Sequence, residues 1–378
     1  MIRPTTARID LQALESNYRT IVEFVSREQA AEPPGVIAVV KANAYGHGAG
    51  QVALTLERAG ARILACADIE EAAVLRAAGV RTQILVFGAL SVSDLDGLFE
   101  FDLTPTISTP GAAQAVQAAA ARFKRRLRYH LKIDTGMNRL GFRFDNLRRT
   151  LPPLLASENL ELEGAYTHFA TADEPDSPLF EQQRLRFERA LAEVAALGGR
   201  PRYRHAANSA AVLRDARTWF DLVRPGLLVY GIVPPPLAST LPLRPVMTLT
   251  SRVVAVKGMR TGETTGYGGT FVAERPTSLA IVPAGYADGL DRRLAGRGAV
   301  LIRGRRAPIV GSVCMDMLMA DVTGMDLSPG DEVVIIGEQG DDRIDAREMA
   351  AAIGTIPWEV VCRVGSRIER LYATGTRP

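Results

Sequence analysis

The sequence lacks several features that would place a protein in a specialised class. It has only three cysteines, Cys66, Cys314 and Cys362. Their odd number and apolar surroundings predict buried reduced thiols rather than a disulfide framework or a metal site. No stretch is uninterruptedly apolar over about 18 residues, and residues 1–10 contain no apolar signal segment. We therefore expect a soluble, cytoplasmic protein with no membrane partner and no metal.

An excess of one charge is also missing. The chain has 45 basic and 42 acidic residues, a formal net charge of +3, and these charges are spread along its length. No basic patch indicates a nucleic acid partner, which leaves anionic small molecules open as ligands. With 378 residues and no internal repeat, the chain is long enough for two globular domains.

Residues from about 10 to 232 alternate short apolar segments with amphipathic helical patterns. The predicted strands are 37–42, 63–67, 83–88, 103–108, 128–134, 163–169, 203–208 and 222–230. Helices are predicted between them, for example over 68–78, 110–124 and 178–197. Eight strands alternating with helices predict a closed (β/α)8 barrel of the TIM type, with a doubly wound open sheet as the alternative. We favour the barrel because only a closed ring brings together the polar residues at or just beyond five strand ends: Lys41, Arg139, His168, Ser209 and Arg224.

The pattern changes at Pro234–Pro236, a run that cannot continue a helix or a central strand and so indicates a linker. Short β-branched segments at 252–256, 278–282 and 332–336 follow, with one helix predicted at about 345–352. The predicted fold is therefore α/β, with an N-terminal barrel over 8–235 and a mostly-β C-terminal domain over 240–378. Residues 1–8 are expected to pack with the second domain.

The apolar run at 37–40 ends in Lys41 and continues into small, aromatic and glycine residues. An ammonium at the C-terminal mouth of a buried strand is partly desolvated, which lowers the pKa of lysine and makes it a nucleophile toward a carbonyl or pyridoxal phosphate. Tyr45 lies within reach of a phosphate oxygen. The alternative is a surface lysine that closes an ordinary loop.

A second lysine, Lys132, lies inside an apolar strand, with Arg139 just beyond the strand end. An unpaired buried ammonium is unfavourable, so Lys132 is expected to be paired with a carboxylate or carbamylated. The planar guanidinium of Arg139 suits a bidentate contact with a substrate carboxylate, and a plain surface arginine is the alternative.

Further polar residues end the predicted strands six to eight. His168 and His205 follow strands six and seven, where a structural histidine is the alternative to a functional one. Asn208 and Ser209 open a helix whose free N–H groups can bind a phosphate, or they form a simple N-cap. Gly226 allows close approach of a phosphate to the backbone near strand eight.

Several of these segments resemble motifs of the alanine racemases. They are V-V-K-A-N-A-Y-G-H-G at 39–48, H-L-K-I-D-T-G-M-N-R-L-G at 130–141, T-G-Y-G at 265–268, G-Y-A-D-G at 285–289 and C-M-D at 314–316. The resemblance extends in order from residue 41 to residue 372. It implies pyridoxal 5'-phosphate as cofactor and interconversion of L-alanine and D-alanine by two-base removal and return of the α-proton on a Schiff base of the cofactor. The D-alanine formed would be used for the peptidoglycan of the cell wall.

The resemblance also implies roles for individual residues. Lys41 would bind the cofactor and handle the D-side proton, and Tyr267 would handle the L-side proton. Tyr267 would need a depressed pKa or a proton relay, and His168 and Arg224 are the candidates to provide it. The residues expected around the cofactor are Lys41, Tyr45, His168, Asn208, Ser209, Arg224, Gly226 and Trp358. Those expected to bind substrate are Arg139, Tyr286, Met315 and Asp316, and those expected to support them are Lys132, Tyr166 and His205.

Arg224 matches a family arginine that faces the pyridine nitrogen of the cofactor. Because arginine keeps its proton at any working pH, that nitrogen would stay unprotonated. The ring is then a weaker electron sink, which restrains transamination while still allowing the α-proton to leave. A related decarboxylase would carry an acidic residue here, so Arg224 argues against that alternative.

The sequence departs from the family pattern at a few positions, namely Asn138 for glycine, Gly266 for serine, Ser312 for arginine, Met317 for glutamine and Trp358 for tyrosine. The last is the sharpest, because the tyrosine hydroxyl contacts the cofactor phosphate and an indole N–H has a different reach. We expect weaker cofactor retention. A broader racemase for small amino acids such as serine is the closest alternative function.

Tyr267 is predicted in a different domain from Lys41. In the family this separation is solved by a head-to-tail homodimer, in which Lys41 of one chain meets Tyr267 of the partner subunit. The second domain also argues against a non-enzymatic pyridoxal phosphate carrier, which would consist of the barrel alone.

Overall fold

The structure is a computed structural model that describes residues 4–28, 32–90 and 94–373. A closed ring of eight parallel strands forms its first part, because the fourth strand pairs with the fifth and the eighth returns to pair with the first. The barrel strands are Gly35–Val39, Ile63–Cys66, Gln83–Val86, Thr104–Ile107, Leu127–Asp134, Leu160–Tyr166, Tyr203–His205 and Leu222–Val223. We number them one to eight in this order. The predicted barrel is confirmed.

Helices cover the outside of this ring, and several begin at the polar residues that the sequence offers as caps. The side chains of Asp68, Thr109 and Asn208 accept the N–H groups of Glu71, Ala112 and Ala211 at 2.7, 3.1 and 3.0 Å. The helices are Leu11–Glu28, Ala49–Arg58, Ile69–Ala77, Asp96–Glu100, Pro110–Arg122, Leu147–Thr150, Pro152–Leu155, Leu179–Ala196 and Ser209–Arg214.

A second, mostly antiparallel sheet follows the barrel. Its strands include Met247–Arg252, Ala255–Met259, Thr277–Val282, Ala299–Ile302, Arg305–Val310, Leu318–Asp321, Glu332–Gln339, Asp342–Ile344 and Glu369–Ala373. Thr6–Asp10 joins this sheet, antiparallel to Met247–Arg252 and parallel to Glu369–Ala373. Short strands at Thr264–Thr265 and Phe271–Val272 form a separate hairpin, and Phe142–Arg143 adds to barrel strand five. In the described ranges no helix is long and apolar enough to cross a membrane.

Several strands end at residues other than those predicted from the sequence. Barrel strand one stops at Val39, because the chain then enters a left-handed turn, and strand eight is followed by a 3-10 helix at Leu227–Tyr230. The single strand predicted over 252–256 is wrong. Val253 N–H bonds Asp331 and Val254 N–H bonds Ile281, so the chain changes partner strand between two valines that both favour β-structure.

The prediction of one helix in the second domain is also wrong. Ala346–Ile353 is followed by a second helix, Pro357–Cys362, whose proline at the first position was an available signal. Cys66 is buried as predicted, but Cys362 is exposed at the end of this helix. Residues 1–3 and 374–378 of the predicted domains lie outside the described residues.

The helix Pro357–Cys362 touches the barrel at the loop after strand one. A Cβ built on Gly46 would lie 2.2 Å from the backbone oxygen of Val361, and the φ of Gly46 is +79°. Only glycine is compatible with both the contact and the dihedral. The second domain is thereby fixed against the segment that carries Lys41.

Candidate active site

Lys41 lies at the C-terminal mouth of the barrel, where the next four residues, 42–45, all adopt left-handed dihedrals with φ of 52° to 54°. Each such residue other than glycine is disfavoured by roughly 1–2 kcal/mol, so neighbouring groups must hold the turn. The Glu71 carboxylate accepts the Ala42 N–H at 2.6 Å, and the Asn43 side chain accepts the Ala49 N–H at 2.8 Å. Sequence reasoning missed Glu71, which looks like any glutamate in a first helical turn.

The surroundings of Lys41 favour a neutral amine. Burial of the ammonium among its neighbours lowers the pKa of Lys41, and the positive charges of Arg139 and Arg224 lower it further. The residue still presents surface to solvent at the barrel mouth in the single chain. Its amine is therefore both accessible and less basic than that of an ordinary lysine.

The loops after strands one, seven and eight form a cradle. A Cβ on Gly226 would lie 2.3 Å from the Tyr45 hydroxyl, so glycine is required for this close approach. The Ser209 hydroxyl accepts the Gly226 N–H at 2.9 Å and the Leu228 N–H at 3.4 Å. The structure thus brings together Tyr45, Ser209 and Gly226, three of the residues expected around a phosphate, while the Asn208 side chain serves as the helix cap.

Arg224 is only 3% exposed and is held on several sides. Its guanidinium donates to the carbonyls of Thr167 and Ala206 at 2.8 and 3.0 Å, and it contacts His205 Nδ1 at 2.9 Å and His168 Nδ1 at 3.1 Å. Burial lowers the pKa of Arg224 to about 10, so the guanidinium remains charged at neutral pH. Within the described ranges no carboxylate forms an ion pair with it.

The Tyr166 ring covers this arrangement from one side. It stacks on the His205 ring at 4.7 Å with an interplanar angle of 7°, and its centroid lies 5.1 Å from Arg224 Cζ and 5.6 Å from Lys132 Nζ. The expected support residues Tyr166, His205 and Lys132 therefore surround Arg224.

Lys132 is buried, and the carboxylate partner expected for it is absent among the residues that the structure describes. Burial lowers the pKa of Lys132 to about 8, and the charges of Arg139 and Arg224 contribute to the same shift. Lys132 is therefore held by the aromatic face of Tyr166 rather than by an ion pair. Of the two alternatives predicted for Lys132, a carboxylate partner is not found among the described residues, and carbamylation stays a prediction.

Arg139 follows a turn built on one carboxylate. Asp134 Oδ1 accepts the N–H groups of Gly136, Met137 and Asn138 at 3.0, 3.0 and 3.1 Å. Asn138 has a φ of 55°, a conformation that asparagine tolerates better than other side chains do. Asparagine therefore suits the backbone at this position, where the family pattern has glycine.

Four candidate residues of the second domain are exposed in the single chain, and three of them line an open groove. Tyr267 is 76% exposed, and Tyr286 and Met315 are 42% and 52% exposed. Tyr267, Met315 and Asp316 line the groove together with residues 257–260. Among the described residues, no hydrogen bond, ion pair or ring contact joins the Tyr267 side chain to the barrel.

Two loops of this groove fix each other. The N–H groups of Tyr286 and Ala287 donate to the carbonyls of Cys314 and Met315 at 2.9 and 3.1 Å. Arg367 donates to Asp316 at 2.8 Å and also contacts Asp288, which orients the Asp316 side chain. Sequence reasoning missed Arg367, because its partner loops are about 50 to 80 residues away along the chain.

Two departures from the family pattern are in contact here. A Cβ on Gly266 would lie 2.7 Å from the backbone nitrogen of Ser312, and the Ser312 hydroxyl donates to the Tyr267 carbonyl at 2.7 Å. The glycine and the serine thus shape the loop that carries Tyr267. Trp358 lies half-buried in the helix Pro357–Cys362, packed against the core.

Replacing Lys132 by methionine should raise the free energy of unfolding by about 1–3 kcal/mol at neutral pH, because it removes an ammonium from a buried site. Lysine in the unfolded chain titrates near 10.5 and folded Lys132 near 8, so the gain is complete below pH 8 and disappears as the pH rises to 10.5. Urea unfolding in buffers free of carbon dioxide measures it. The exposed Lys124→Met variant should show no such gain, and an equal gain for Lys132→Met at both ends of this pH range would contradict the assignment.

Known proteins resemble this chain over nearly its whole length. Models of the alanine racemase N-terminal and C-terminal domains match residues 9–234 and 246–372. The alanine racemase of Carboxydothermus hydrogenoformans is 43% identical, with 98% of this chain and 100% of that protein covered, and the one of Symbiobacterium thermophilum is 41% identical, with 99% and 98% covered.

Solved structures show the same similarity. The alanine racemase from a D-cycloserine-producing Streptomyces lavendulae gives a TM-score of 0.93 at 38% identity, with 100% of this chain and 98% of that chain covered. The alanine racemase from Bacillus anthracis with bound L-Ala-P gives 0.89 at 36% identity, with 99% and 96% covered. This chain therefore belongs to the alanine racemase family of isomerases.

Proposed function

We propose that the protein interconverts L-alanine and D-alanine with pyridoxal 5'-phosphate, using Lys41 and Tyr267 as its two bases, and that the D-alanine serves peptidoglycan synthesis. The observation that carries this proposal is the convergence at one barrel mouth of Lys41 with its lowered pKa, the cradle around Tyr45 and Ser209, and the buried cation Arg224. The names of the relatives support alanine as substrate.

The donor set fits this cofactor. The Tyr45 hydroxyl, the Ser209 hydroxyl and the backbone at Gly226 suit a phosphate, and Arg224 offers a charged donor for the ring nitrogen. Lys41 supplies the amine. When bound, pyridoxal 5'-phosphate supplies an electron sink that acidifies the α-proton of an amino acid attached to it.

The chain's own groups then hold and move the proton. Lys41 Nζ takes up the D-side proton, and its lowered pKa favours the free amine that this role requires. The Tyr267 hydroxyl takes up the L-side proton from the opposite face. Arg139 holds the substrate carboxylate, and Arg224 remains charged, so that it donates a hydrogen bond without transferring its proton.

The exposure of the Tyr267 groove supports a homodimer with shared sites. Large side chains such as Tyr267, Tyr286, Met315 and Met317 form an exposed, partly apolar surface in the single chain. Such surfaces mark interaction sites in soluble proteins. A head-to-tail pair places Tyr267 of the partner subunit opposite Lys41 and closes both sites by two-fold symmetry.

Two alternatives differ in what they require. A decarboxylase needs an acidic partner for the ring nitrogen, and the residue near that position here is Arg224. A racemase acting on serine or other small amino acids shares every feature described above, so substrate assays alone distinguish it. We also propose that Trp358 weakens cofactor retention, because indole replaces a phenol that contacts phosphate in the family.

Borohydride reduction of the cofactor-loaded protein should attach a pyridoxyl group to Lys41 among the chain's four lysines. The expectation follows from the lowered pKa of Lys41 and its position at the barrel mouth. Peptide mapping by mass spectrometry locates the label. The Lys132→Met variant should still be labelled on Lys41. A label on Lys132, the other lysine whose pKa is lowered, would contradict the assignment.

The shared site is tested with two inactive variants. Lys41→Ala and Tyr267→Ala should each lose at least about 10³-fold in kcat, because each removes one of two bases. When the two proteins are unfolded together and refolded as a mixture, hybrid dimers contain one site with both defects and one with neither. Activity should return, up to half that of a wild-type dimer in each hybrid.

Each variant refolded alone is the control and should stay inactive. Native mass spectrometry, with one variant carrying a terminal tag, verifies that hybrids form. Verified hybrids without activity would mean that each site is built within one chain.

A further inference from the structure

A column of polar side chains crosses the barrel interior beneath Arg224. His205 Nδ1 lies 2.9 Å from Arg224 NH1, and His205 Nε2 lies 2.8 Å from His130 Nδ1. His130 Nε2 in turn lies 3.4 Å from Glu163 Oε2. Both histidines are fully buried and Glu163 is 5% exposed. The interior of a (β/α)8 barrel is normally filled by branched apolar side chains, so the presence of polar side chains here needs an explanation.

The lower end of the column is built around the Glu163 carboxylate. It accepts hydrogen bonds from Gln83 Nε2 at 2.5 Å and from Arg128 NH1 at 3.0 Å. Gly164 makes room for the His130 ring, since a Cβ there would lie 2.6 Å from His130 Nδ1. The carboxylate is therefore fixed in place, and the imidazole above it has a site of matching size.

The two ends of the column determine where its protons lie. Arg224 can only donate, so His205 Nδ1 must accept and the His205 proton must be on Nε2. That N–H donates to His130 Nδ1, which places the His130 proton on Nε2, 3.4 Å from a carboxylate that can only accept. One arrangement of protons satisfies every contact, and both imidazoles in it are neutral. Burial lowers the pKa of both histidines, in agreement with neutral rings.

A different proton arrangement breaks the column. If His130 carried its proton on Nδ1, that N–H would point at His205 Nε2. His205 would then have to accept there and carry its own proton on Nδ1, where it would face an N–H of Arg224. Among the described residues His130 Nε2 forms no hydrogen bond of good geometry, and the Glu163 carboxylate, 3.4 Å away, is the acceptor beside it. Arg224 thus sets one tautomer at each ring from above, and the Glu163 carboxylate favours the same tautomer of His130 from below.

We propose that Glu163 is a positioning residue for racemisation, acting through His130 and His205 to hold Arg224 in the orientation in which it meets the cofactor. The proposal rests on the proposed function, because that function assigns Arg224 its place at the ring nitrogen. Glu163 also supplies, across two imidazoles, the negative charge that Arg224 lacks in direct contact. Outer groups that orient a functional residue in this way commonly change activity by about 10–100-fold when removed.

Two substitutions of Glu163 separate the effect of its charge from its effect as a hydrogen-bond acceptor. In Glu163→Gln the amide oxygen can still accept from His130 Nε2, so the tautomers should persist although the charge is lost. In Glu163→Leu neither the acceptor nor the charge remains. Arg128→Gln is the matched control, because it removes an outer contact of Glu163 and leaves the chain from Glu163 to Arg224 unchanged.

The test combines spectroscopy with kinetics. The cofactor-loaded protein is labelled with ¹⁵N-histidine, and the imidazole nitrogens of its four histidines are observed by NMR. Wild type, Arg128→Gln and Glu163→Gln should show His130 and His205 as neutral rings with the proton on Nε2. Glu163→Leu should show a proton on Nδ1 of His130 in part of the molecules, namely those in which the contact between His205 and Arg224 is lost. Its kcat should fall by about 10–100-fold while the KM for alanine, set by Arg139, changes less than about three-fold.

The wild-type spectrum alone can overturn the proposal, should Glu163→Leu fail to fold. A charged His130, or a proton on its Nδ1, would do so. An unchanged kcat in a folded Glu163→Leu protein would also overturn the proposal. Because the tautomers are read without any turnover, a protein that does not racemise alanine would refute the proposed function and leave the tautomer assignment standing.

Discussion

The candidate site depends on the pairing that closes the barrel. Leu222–Val223 returns beside Gly35–Val36, and the Val39 N–H then donates to the Pro225 carbonyl at 3.2 Å. Closure makes the end of strand eight a neighbour of the end of strand one. Arg224 and Gly226 are thereby brought to Lys41 and Tyr45, which lie about 180 residues earlier in the chain. An open sheet would leave strands one and eight apart.

Positive charge concentrates at this rim. Lys41, Lys132, Arg139 and Arg224 act on one another, which lowers the pKa values of both lysines in addition to the effect of burial. Such a cluster is unfavourable in an empty site and favourable once an anionic phosphate and a substrate carboxylate bind. The same charges that destabilise the ammonium of Lys41 would therefore attract the anionic ligands proposed for this site.

The sequence contained enough to predict the eight strands and most of the rim, because an apolar run and the polar residue that ends it are adjacent in the chain. Glu71, Glu163 and Arg367 were not predicted. Each acts on a group 29 to 79 residues away, and each looks locally like an ordinary charged surface residue. For Lys132, burial was predicted from the sequence. Its contact with the Tyr166 ring was not, because the two residues meet only in the folded barrel.

The most direct test of the central claim uses L-alanine, added pyridoxal 5'-phosphate and deuterium oxide. Chiral chromatography follows the two enantiomers, and mass spectrometry follows deuterium at Cα. The proposed chemistry predicts equal amounts of L-alanine and D-alanine at equilibrium, with one deuterium at Cα of the product and little pyruvate, since the charged Arg224 restrains transamination. Accumulation of ethylamine or pyruvate without D-alanine would contradict it.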